Sequence, residues 1–350
     1  MADYYLAIDL GASGGRHILG QVEGGKLVLE EVHRFSNSFY QKDGSLIWDL
    51  DLIFSEITEG LEKCGAFIKG RPGEGTLRSV GIDTWGVDYA LLDKEGKLIA
   101  PAFAYRDSRT EPFLETSMPY EELYKATGIA RQPFNTIYQV LADKAAGRLE
   151  KAEYMLQLPE YFSQRLTGNL MGKEHNEYTM ASTTGLLDAA KKDWAKEVFE
   201  KLDLPARLFK PLREPPYDIG CLSAELQERL GFNARVLMIA SHDTASAVAT
   251  VEEGSLYISS GTWSLWALSG TRFLAMPPGL RAIPTKAPTT AASAFLKTLW
   301  ASGLYSRYAA SLRMPIASLN LKAWPGKLKK PPPQAGPSIS MRPGSSPPPA

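Results

Sequence analysis

The sequence predicts an α/β fold in which helices cover the faces of a β-sheet. Three features support this class. The chain opens with a meander of three apolar strands separated by glycine-rich turns, and an amphipathic helical segment follows the meander. Two further apolar strands, 79–82 and 236–240, then lie on either side of a mainly helical stretch from 119 to 230.

The opening meander and the first helix follow from local patterns. The strands are predicted over 4–10, 16–22 and 27–33, with the turns at glycines in 11–15 and 24–25. After the meander, Asp49 or Asp51 can cap a helix. One face of this helix should pack on the sheet, because apolar residues recur at three- and four-residue spacing. These residues are Ile53, Ile57, Leu61 and Cys64.

The later elements depend on shorter patterns. Segments 88–92 and 98–105 flank the Glu95-Gly96 turn and predict a further strand pair. Pro159 is well placed at the start of a helix that ends at Gly168. The strand 236–240 is followed by a short helix over 242–250 and another strand over 255–260.

The composition, 44% hydrophobic and 22% charged, is typical of a globular protein. No segment approaches the roughly 18 consecutive apolar residues of a membrane-spanning helix. The N-terminus lacks the basic region and cleavage site of a signal peptide. Cys64 and Cys221 match no metal-binding or redox spacing, so reduced thiols are expected. We therefore expect a cytoplasmic protein without membrane or nucleic-acid partners.

The charge balance changes abruptly near residue 253. The chain holds 39 basic and 39 acidic residues, but Glu253 is the last acidic one. Residues 254–350 contain 11 of the basic residues and 14 of the 24 prolines. The net charge is therefore +11 for this part and −11 for residues 1–253. This difference indicates that the two parts of the chain were not shaped by the same structural or functional requirements. An acid-free, proline-rich segment is expected to be disordered.

The first candidate site is the string DLGASGGR, from Asp9 to Arg16. Glycines between two strands let backbone N–H groups approach an anion, and Ser13 can add a donor. Asp9, at the end of the first strand, can hold a hydrated Mg²⁺. The alternative is an ordinary hairpin turn. Other nucleotide-binding patterns are absent from the sequence: GxxxxGK[ST], GxGxxG opening a helix, HRD and DFG.

The second candidate site is GIDTWGVD, residues 81–88. The Trp85 indole, beside a glycine at a strand end, can cover the apolar face of a sugar ring. The flanking carboxylates of Asp83 and Asp88 can then bind the sugar hydroxyls. The alternative is that Trp85 belongs to the core and the aspartates only end strands.

Two further candidates follow apolar strands. In Ser241-His242-Asp243-Thr244, a carboxylate at a helix start is favoured by backbone amides, and Asp243 can accept the proton of a hydroxyl that attacks a γ-phosphate. The alternative is a plain helix cap with a structural histidine. The string SSGTW, residues 259–263, can form a second phosphate loop or a simple turn.

In their order along the chain, these strings resemble the FGGY family of carbohydrate kinases, which has an actin-like, ribonuclease H-like fold. The resemblance rests on DLGASGGR, GIDTWGVDYALLD, AYRDSRT, PFNTIYQ, LPEYFSQRLTG, EYTMASTTGLLD, ASHDTASAVA and YISSGTWSLW. It covers residues 4–266 and indicates the subfamily that phosphorylates L-rhamnulose. What it implies is an enzyme of L-rhamnose breakdown that transfers the γ-phosphoryl group of ATP to the 1-hydroxyl of L-rhamnulose.

The resemblance also implies roles for individual residues. Asp243 matches the catalytic base and Asp9 the aspartate on the Mg²⁺ side. The positions that match substrate contacts or lie beside them are Asp83, Trp85, Gly86, His242 and Thr244. The positions that match the two ATP phosphate loops are Ala12, Ser13, Gly14, Gly15 and Arg16 in the first loop and Thr262 in the second.

The resemblance further implies a division of the chain. Residues 1–245 match an N-terminal sugar-binding domain and 246–266 the start of a C-terminal ATP-binding domain. Residues 267–350 lack the family's Asn-Glu-Gly-Gly stretch and its adenine-binding segment, and are expected to be an out-of-frame translation or, alternatively, a genuine basic tail. Impaired activity is therefore expected. A non-catalytic sugar-binding remnant and a kinase for another ketose are the alternatives.

Overall fold

The computed structural model of the chain describes residues 2–73, 75–115, 118–169, 175–188, 190–251, 256–260 and 264–268. The strands are β1 Ala2–Gly11, β2 Gly14–Glu23, β3 Lys26–Ser36, β4 Phe39–Lys42, β5 Ser45–Trp48, β6 Gly75–Thr84, β7 Tyr89–Leu92, β8 Tyr154–Gln157, β9 Asn176–Glu177, β10 Leu187–Asp188, β11 Asp193–Trp194, β12 Leu212–Arg213, β13 Tyr217–Cys221, β14 Arg235–Met238, β15 Leu256–Ser260 and β16 Ser264–Leu268. The α-helices are α1 Leu50–Lys69, α2 Tyr120–Thr127, α3 Thr136–Ala145, α4 Leu158–Thr167, α5 Tyr178–Ala181, α6 Lys196–Leu202, α7 Ala224–Leu230 and α8 Asp243–Val248.

A six-stranded mixed sheet with the order β13-β14-β6-β1-β2-β3 organises these elements. The predicted meander forms β1, β2 and β3, which are antiparallel neighbours. β6 runs parallel to β1, and β14 runs parallel to β6. Parallel neighbours need long crossover connections, and these carry α1 and most of the other helices. As a result, the carboxyl ends of β1, β6 and β14 lie side by side at one edge of the sheet.

Helix α1 has the predicted amphipathic character. Of the two predicted caps, Asp49 is the one used, and its Oδ1 accepts a hydrogen bond from the backbone N of Leu52 at 2.9 Å. The four apolar residues of the predicted face are each at most 2% exposed and belong to the main hydrophobic core. This core lies between the sheet and its covering helices, and it fixes the sheet edge from which the site is built.

The predicted helix from Pro159 to Gly168 is also confirmed. Pro159 lies in the first turn of α4, where its missing N–H leaves no helical hydrogen bond unmade. Gly168 follows the helix at φ = 73°, a left-handed conformation that glycine adopts without strain.

The predicted pairing of 88–92 with 98–105 is correct only next to the turn. There, an antiparallel bridge joins Leu92 to Leu98, and Ile99 N donates to Leu91 O at 3.0 Å. Along its whole length β7 pairs instead with β8, more than 60 residues further along the chain. Segment 98–105 passes beside β4 and β5, where Trp48 N donates to Ala102 O at 2.9 Å. All four residues of β7 are buried, so the partner strand is chosen by burial in the core rather than by the nearby turn.

Within the part of the chain that the structure describes, no helix combines the length and hydrophobicity needed to cross a membrane. Cys64 is buried and Cys221 half-buried, and both are free thiols, as expected from their spacing.

Two buried glutamates predict a pH dependence of stability. Glu160 accepts hydrogen bonds from the backbone N of Gln157 and Glu177, and Glu177 in turn accepts them from the backbone N of Thr179 and Met180. Burial nevertheless raises the pKa of each carboxyl to about 7. Because the pKa of each carboxyl is higher in the folded state than in the unfolded state, protonation of these glutamates stabilises the fold. This contribution is complete below about pH 4.5 and is lost as the pH rises through about 7.

We therefore expect the free-energy advantage of the parent over Glu160→Gln to shrink by roughly 2–3 kcal/mol between pH 5 and pH 8. Urea unfolding of both proteins at pH 5, 6, 7 and 8 measures this difference. Titrating groups remote from Glu160 cancel in the comparison, because they are common to both proteins. Glu177 does not cancel fully, because the charge of Glu160 contributes to its raised pKa. A difference that stays constant with pH would contradict the raised pKa of Glu160.

Candidate active site

Three aspartates meet at the carboxyl ends of the parallel strands. The β1–β6 register places Asp9 opposite Asp83. A parallel bridge between Thr84 and His242 brings the end of β14 beside them, and Thr84 N donates to Ser241 O at 2.8 Å. Asp243 is the first residue of α8, after His242 at the cap position. The alternative that Asp243 merely caps the helix is therefore not supported.

A pocket of about 1140 Å³ opens over this edge of the sheet. Twelve of the thirteen residues to which the family resemblance assigns a role line it: Asp9, Ala12, Ser13, Gly14, Gly15, Arg16, Asp83, Trp85, Gly86, His242, Asp243 and Thr244. The remaining one, Thr262, lies outside the described residues. Residues that are distant in sequence thus share one cavity.

The glycine-rich turn is tied to the neighbouring strand. A Cβ on Gly14 would lie 2.7 Å from Phe35 O, and one on Gly15 would overlap the Phe35 ring. The backbone N of Asn37 donates to Ser13 O at 3.2 Å, and its side-chain amide donates to Gly11 O at 3.1 Å. Close packing against the β3 backbone therefore requires Gly14, and Gly15 leaves room for the Phe35 ring. Asn37 fixes the turn beside the pocket.

Charge is concentrated around Asp9. Arg16 forms an ion pair with its carboxylate, with an Nη2–Oδ2 distance of 2.7 Å. Asp83 is buried, and burial together with the negative charges of Asp9 and Asp243 raises its pKa well above the ordinary value. Three carboxylates therefore share one edge of the pocket with Arg16.

Asp243 is held at the pocket surface by its neighbours. Its Oδ1 accepts hydrogen bonds from the backbone N and the hydroxyl of Thr244, and its side chain remains 37% exposed. The Nε2 atom of His242 lies 3.4 Å from the same Oδ1. Burial lowers the pKa of His242, while the charge of Asp243 acts to raise it. The result is an accessible carboxylate beside a half-buried imidazole.

The residues present fit a hard divalent cation such as Mg²⁺. Such ions prefer oxygen ligands, and carboxylate oxygens dominate this edge of the pocket. Burial and, after it, the negative charges of Asp9 and Asp243 raise the pKa of Asp83, and a bound cation would offset the repulsion between these carboxylates.

The pocket also contains residues to which the sequence analysis assigned no role. These are Arg34, Phe35, Ser36, Tyr105, Ile129, Phe134, Asn135, Ser182, Thr183, Ser246 and Ala247, besides Gly11 and Val87 of the predicted motifs. Several lie in strings already noted for their resemblance to the family, such as AYRDSRT and PFNTIYQ. The sequence therefore indicated these segments as part of the site. Only the folded chain shows which side chain of each string reaches the cavity.

The suggestion that Asp88 binds sugar hydroxyls is wrong. Asp88 is fully buried and does not line the pocket; its Oδ2 accepts hydrogen bonds from the indoles of Trp48 at 2.7 Å and Trp85 at 2.9 Å. Trp85 is a core residue at 6% exposure and also lines the pocket, so its position is compatible with both predicted roles.

The fold class of the chain follows from its similarity to solved structures. The fold matches a gluconate kinase from Lactobacillus acidophilus with a TM-score of 0.65 at 19% identity, over 75% of this chain and 53% of that protein. It also matches a ligand-bound xylulose kinase from the same organism with a TM-score of 0.64 at 20% identity, over 75% and 53% of the two chains. The chain therefore has the actin-like, ribonuclease H-like fold of sugar kinases.

The family follows from the sequence comparisons. The model for the N-terminal domain of the FGGY family of carbohydrate kinases matches residues 4–250, and the chain belongs to this family. It is 43% identical to the rhamnulokinase of Halalkalibacterium halodurans over 270 residues, which are 75% of this chain and 56% of that protein. It is 44% identical to the rhamnulokinase of Oceanobacillus iheyensis over 268 residues, 74% and 55% of the two chains. The chain thus spans little more than half the length of these curated relatives.

Proposed function

We propose that the chain is the sugar-binding part of an ATP-dependent kinase that phosphorylates L-rhamnulose. The observation that carries this proposal is the single pocket in which Asp243, the glycine-rich turn and Trp85 meet. The similarity to rhamnulokinases supports the choice of sugar. The implied domains, residues 1–245 for the sugar and 246–266 as the start of the ATP-binding domain, form part of the proposal.

In the proposed reaction, Asp243 accepts the proton of the sugar 1-hydroxyl. The hydroxyl oxygen then forms a bond to the γ-phosphorus of ATP, the bond from this phosphorus to the β,γ-bridging oxygen breaks, and ADP leaves. Phosphoryl transfer depends mainly on positioning and charge neutralisation, with one such base to orient the nucleophile. The exposed carboxylate of Asp243 suits this role, because it can reach a ligand in the pocket.

Other residues of the pocket are proposed to hold the two substrates. Backbone N–H groups of residues 12–15 and the Arg16 guanidinium would bind phosphate oxygens. A bound Mg²⁺ would supply further neutralisation of phosphate charge, and Asp9 is the carboxylate placed to hold it. On the sugar side, Trp85 and Gly86 would form one wall, with His242 and Thr244 contacting hydroxyls.

We also expect slow turnover for the 350-residue chain expressed by itself. The chain aligns with little more than half the length of the rhamnulokinases that it resembles. Kinases, however, close two parts of the protein around the phosphates of ATP. The proposed Thr262 contact lies beyond residues 4–250, which the family model matches, and remains a prediction.

The test is titration calorimetry of the purified chain with L-rhamnulose and, separately, with Mg·ATP, followed by a coupled ADP-release assay. The H. halodurans rhamnulokinase is the positive control, and D-xylulose and gluconate are the competing substrates. We expect binding of L-rhamnulose in preference to the other two, with ADP release that is slow but dependent on L-rhamnulose. Sugar binding without turnover would support a non-catalytic remnant, preference for another sugar would reassign the substrate, and no sugar binding would refute the proposal.

A further inference from the structure

Three aromatic residues from separate segments line the pocket. Trp85 follows β6, Tyr105 lies between β7 and α2, and Phe134 precedes α3. The rings of Tyr105 and Phe134 meet edge to face, with their centroids 6.3 Å apart. We call Trp85, Tyr105 and Phe134 the aromatic wall. Aromatic faces suit the apolar face of a sugar ring, but only if the three segments hold a fixed arrangement.

A single buried carboxylate joins all three segments. The Oδ2 atom of Asp88 accepts hydrogen bonds from the Trp85 indole at 2.9 Å and from the backbone N of Tyr105 at 3.2 Å. Its Oδ1 accepts one from Gln139 Nε2 at 3.0 Å, and the same Nε2 donates to Phe134 O at 3.2 Å. Asp88 therefore connects directly to two members of the aromatic wall and through Gln139 to the third.

The carboxylate is supported from behind by a second indole. Trp48 Nε1 donates to Asp88 Oδ2 at 2.7 Å, and the Trp48 ring packs against Trp85 with the centroids 4.4 Å apart. The four groups that bond Asp88 are all N–H donors, which stabilise its ionised form. Burial raises the pKa of Asp88 to about 6, so the group is charged at neutral pH.

The turn beside Asp88 carries backbone strain. Val87 has φ = 72°, a left-handed conformation that is unusual for a β-branched residue. Its N donates to Thr183 Oγ1 at 3.0 Å, and its O accepts from Thr136 Oγ1 at 2.7 Å and Gln139 Nε2 at 3.2 Å. Strain of this kind persists only where the surroundings over-determine the conformation, and it concentrates at functional sites.

We propose that Asp88 is a positioning residue that fixes the aromatic wall against the sugar and thereby sets the affinity for the ketose. This role rests on the proposed function, because it needs a sugar in the pocket. Asp88 acts without touching the ligand, since it is fully buried and lies outside the pocket lining.

Two variants test the role, and a third is the control. Asp88→Asn places an amide where four N–H groups need acceptors. Gln139→Met keeps the Asp88 carboxylate but removes the Nε2 donor to Asp88, Phe134 and Val87, together with the Oε1 acceptor of Arg109 Nη2. Glu160→Gln is the matched control, because Glu160 is an equally buried carboxylate that also accepts several N–H donors but lies outside the pocket lining. All measurements use temperatures at which circular dichroism shows each variant to be folded.

We expect the Kd of L-rhamnulose to rise about tenfold or more in Asp88→Asn, about threefold to fivefold in Gln139→Met and less than about twofold in Glu160→Gln. The Kd of Mg·ATP should change in none of them, whereas the melting temperature should fall in both carboxylate variants. A sugar Kd within twofold of the parent in both Asp88→Asn and Gln139→Met would overturn the proposal and leave Asp88 a purely structural role. Failure of the parent to bind any ketose would instead refute the proposed function, and the role of Asp88 with it.

Discussion

Replacing Asp243 with asparagine is expected to lower phosphoryl transfer to L-rhamnulose by at least about 100-fold, the low end of the usual contribution of a general base. The amide keeps the size of the carboxylate and an oxygen that can accept from the backbone N and hydroxyl of Thr244. It cannot take up the proton of the attacking hydroxyl. The local geometry should therefore survive while the chemical step fails.

Because turnover of the chain is expected to be slow, the measurement is transfer of labelled phosphate from γ-labelled ATP to the sugar over long incubations. Asp218→Asn is the control, because Asp218 is an aspartate outside the pocket that pairs with Arg235. Its rate should stay within about twofold of the parent, as expected for an exposed surface pair. An Asp243→Asn protein that keeps more than a third of the parental rate would show that another group accepts the proton.

Replacing Gly60 with alanine is expected to destabilise the fold by about 2–3 kcal/mol, whereas Gly65→Ala on the same helix should stay within about 1 kcal/mol of the parent. A Cβ on Gly60 would overlap the ring of His17, which is fully buried. His17 Nε2 is bonded to Ile57 O at 3.2 Å, and its ring lies 5.3 Å from that of His33, so it has no room to move. The helix must therefore shift away from the sheet.

Gly65 is a matched comparison because both substitutions gain the same helix propensity. A Cβ there would lie 2.7 Å from Phe232 Cε1, the far end of a half-buried side chain that can rotate away. Urea unfolding of the two variants and the parent measures the difference. Equal stability of Gly60→Ala and Gly65→Ala would show that His17 also yields, and that the α1–sheet contact is less tightly packed than its geometry indicates.

Much of the fold can be predicted from sequence because its signals are local. The glycines of the meander, the Asp49 cap and the apolar spacing of α1 each act within a few residues, and the structure contains all of them. The pairing of β7 could not be predicted in the same way. Its partner is β8, and a distant partner is selected by burial of both strands, which a nearby turn signal does not report.

The candidate site shows the same division. The sequence by itself determined which residue types were available, including Asp9, Asp243 and the glycines between β1 and β2, because strand ends and turns are set locally. The tertiary structure decided which of them share a cavity and which are buried behind it. Asp83 and Asp88 lie five positions apart, yet Asp83 lines the pocket and Asp88 accepts hydrogen bonds from two indoles in the core. Whether a carboxylate meets solvent or N–H donors depends on chain segments that only folding brings together.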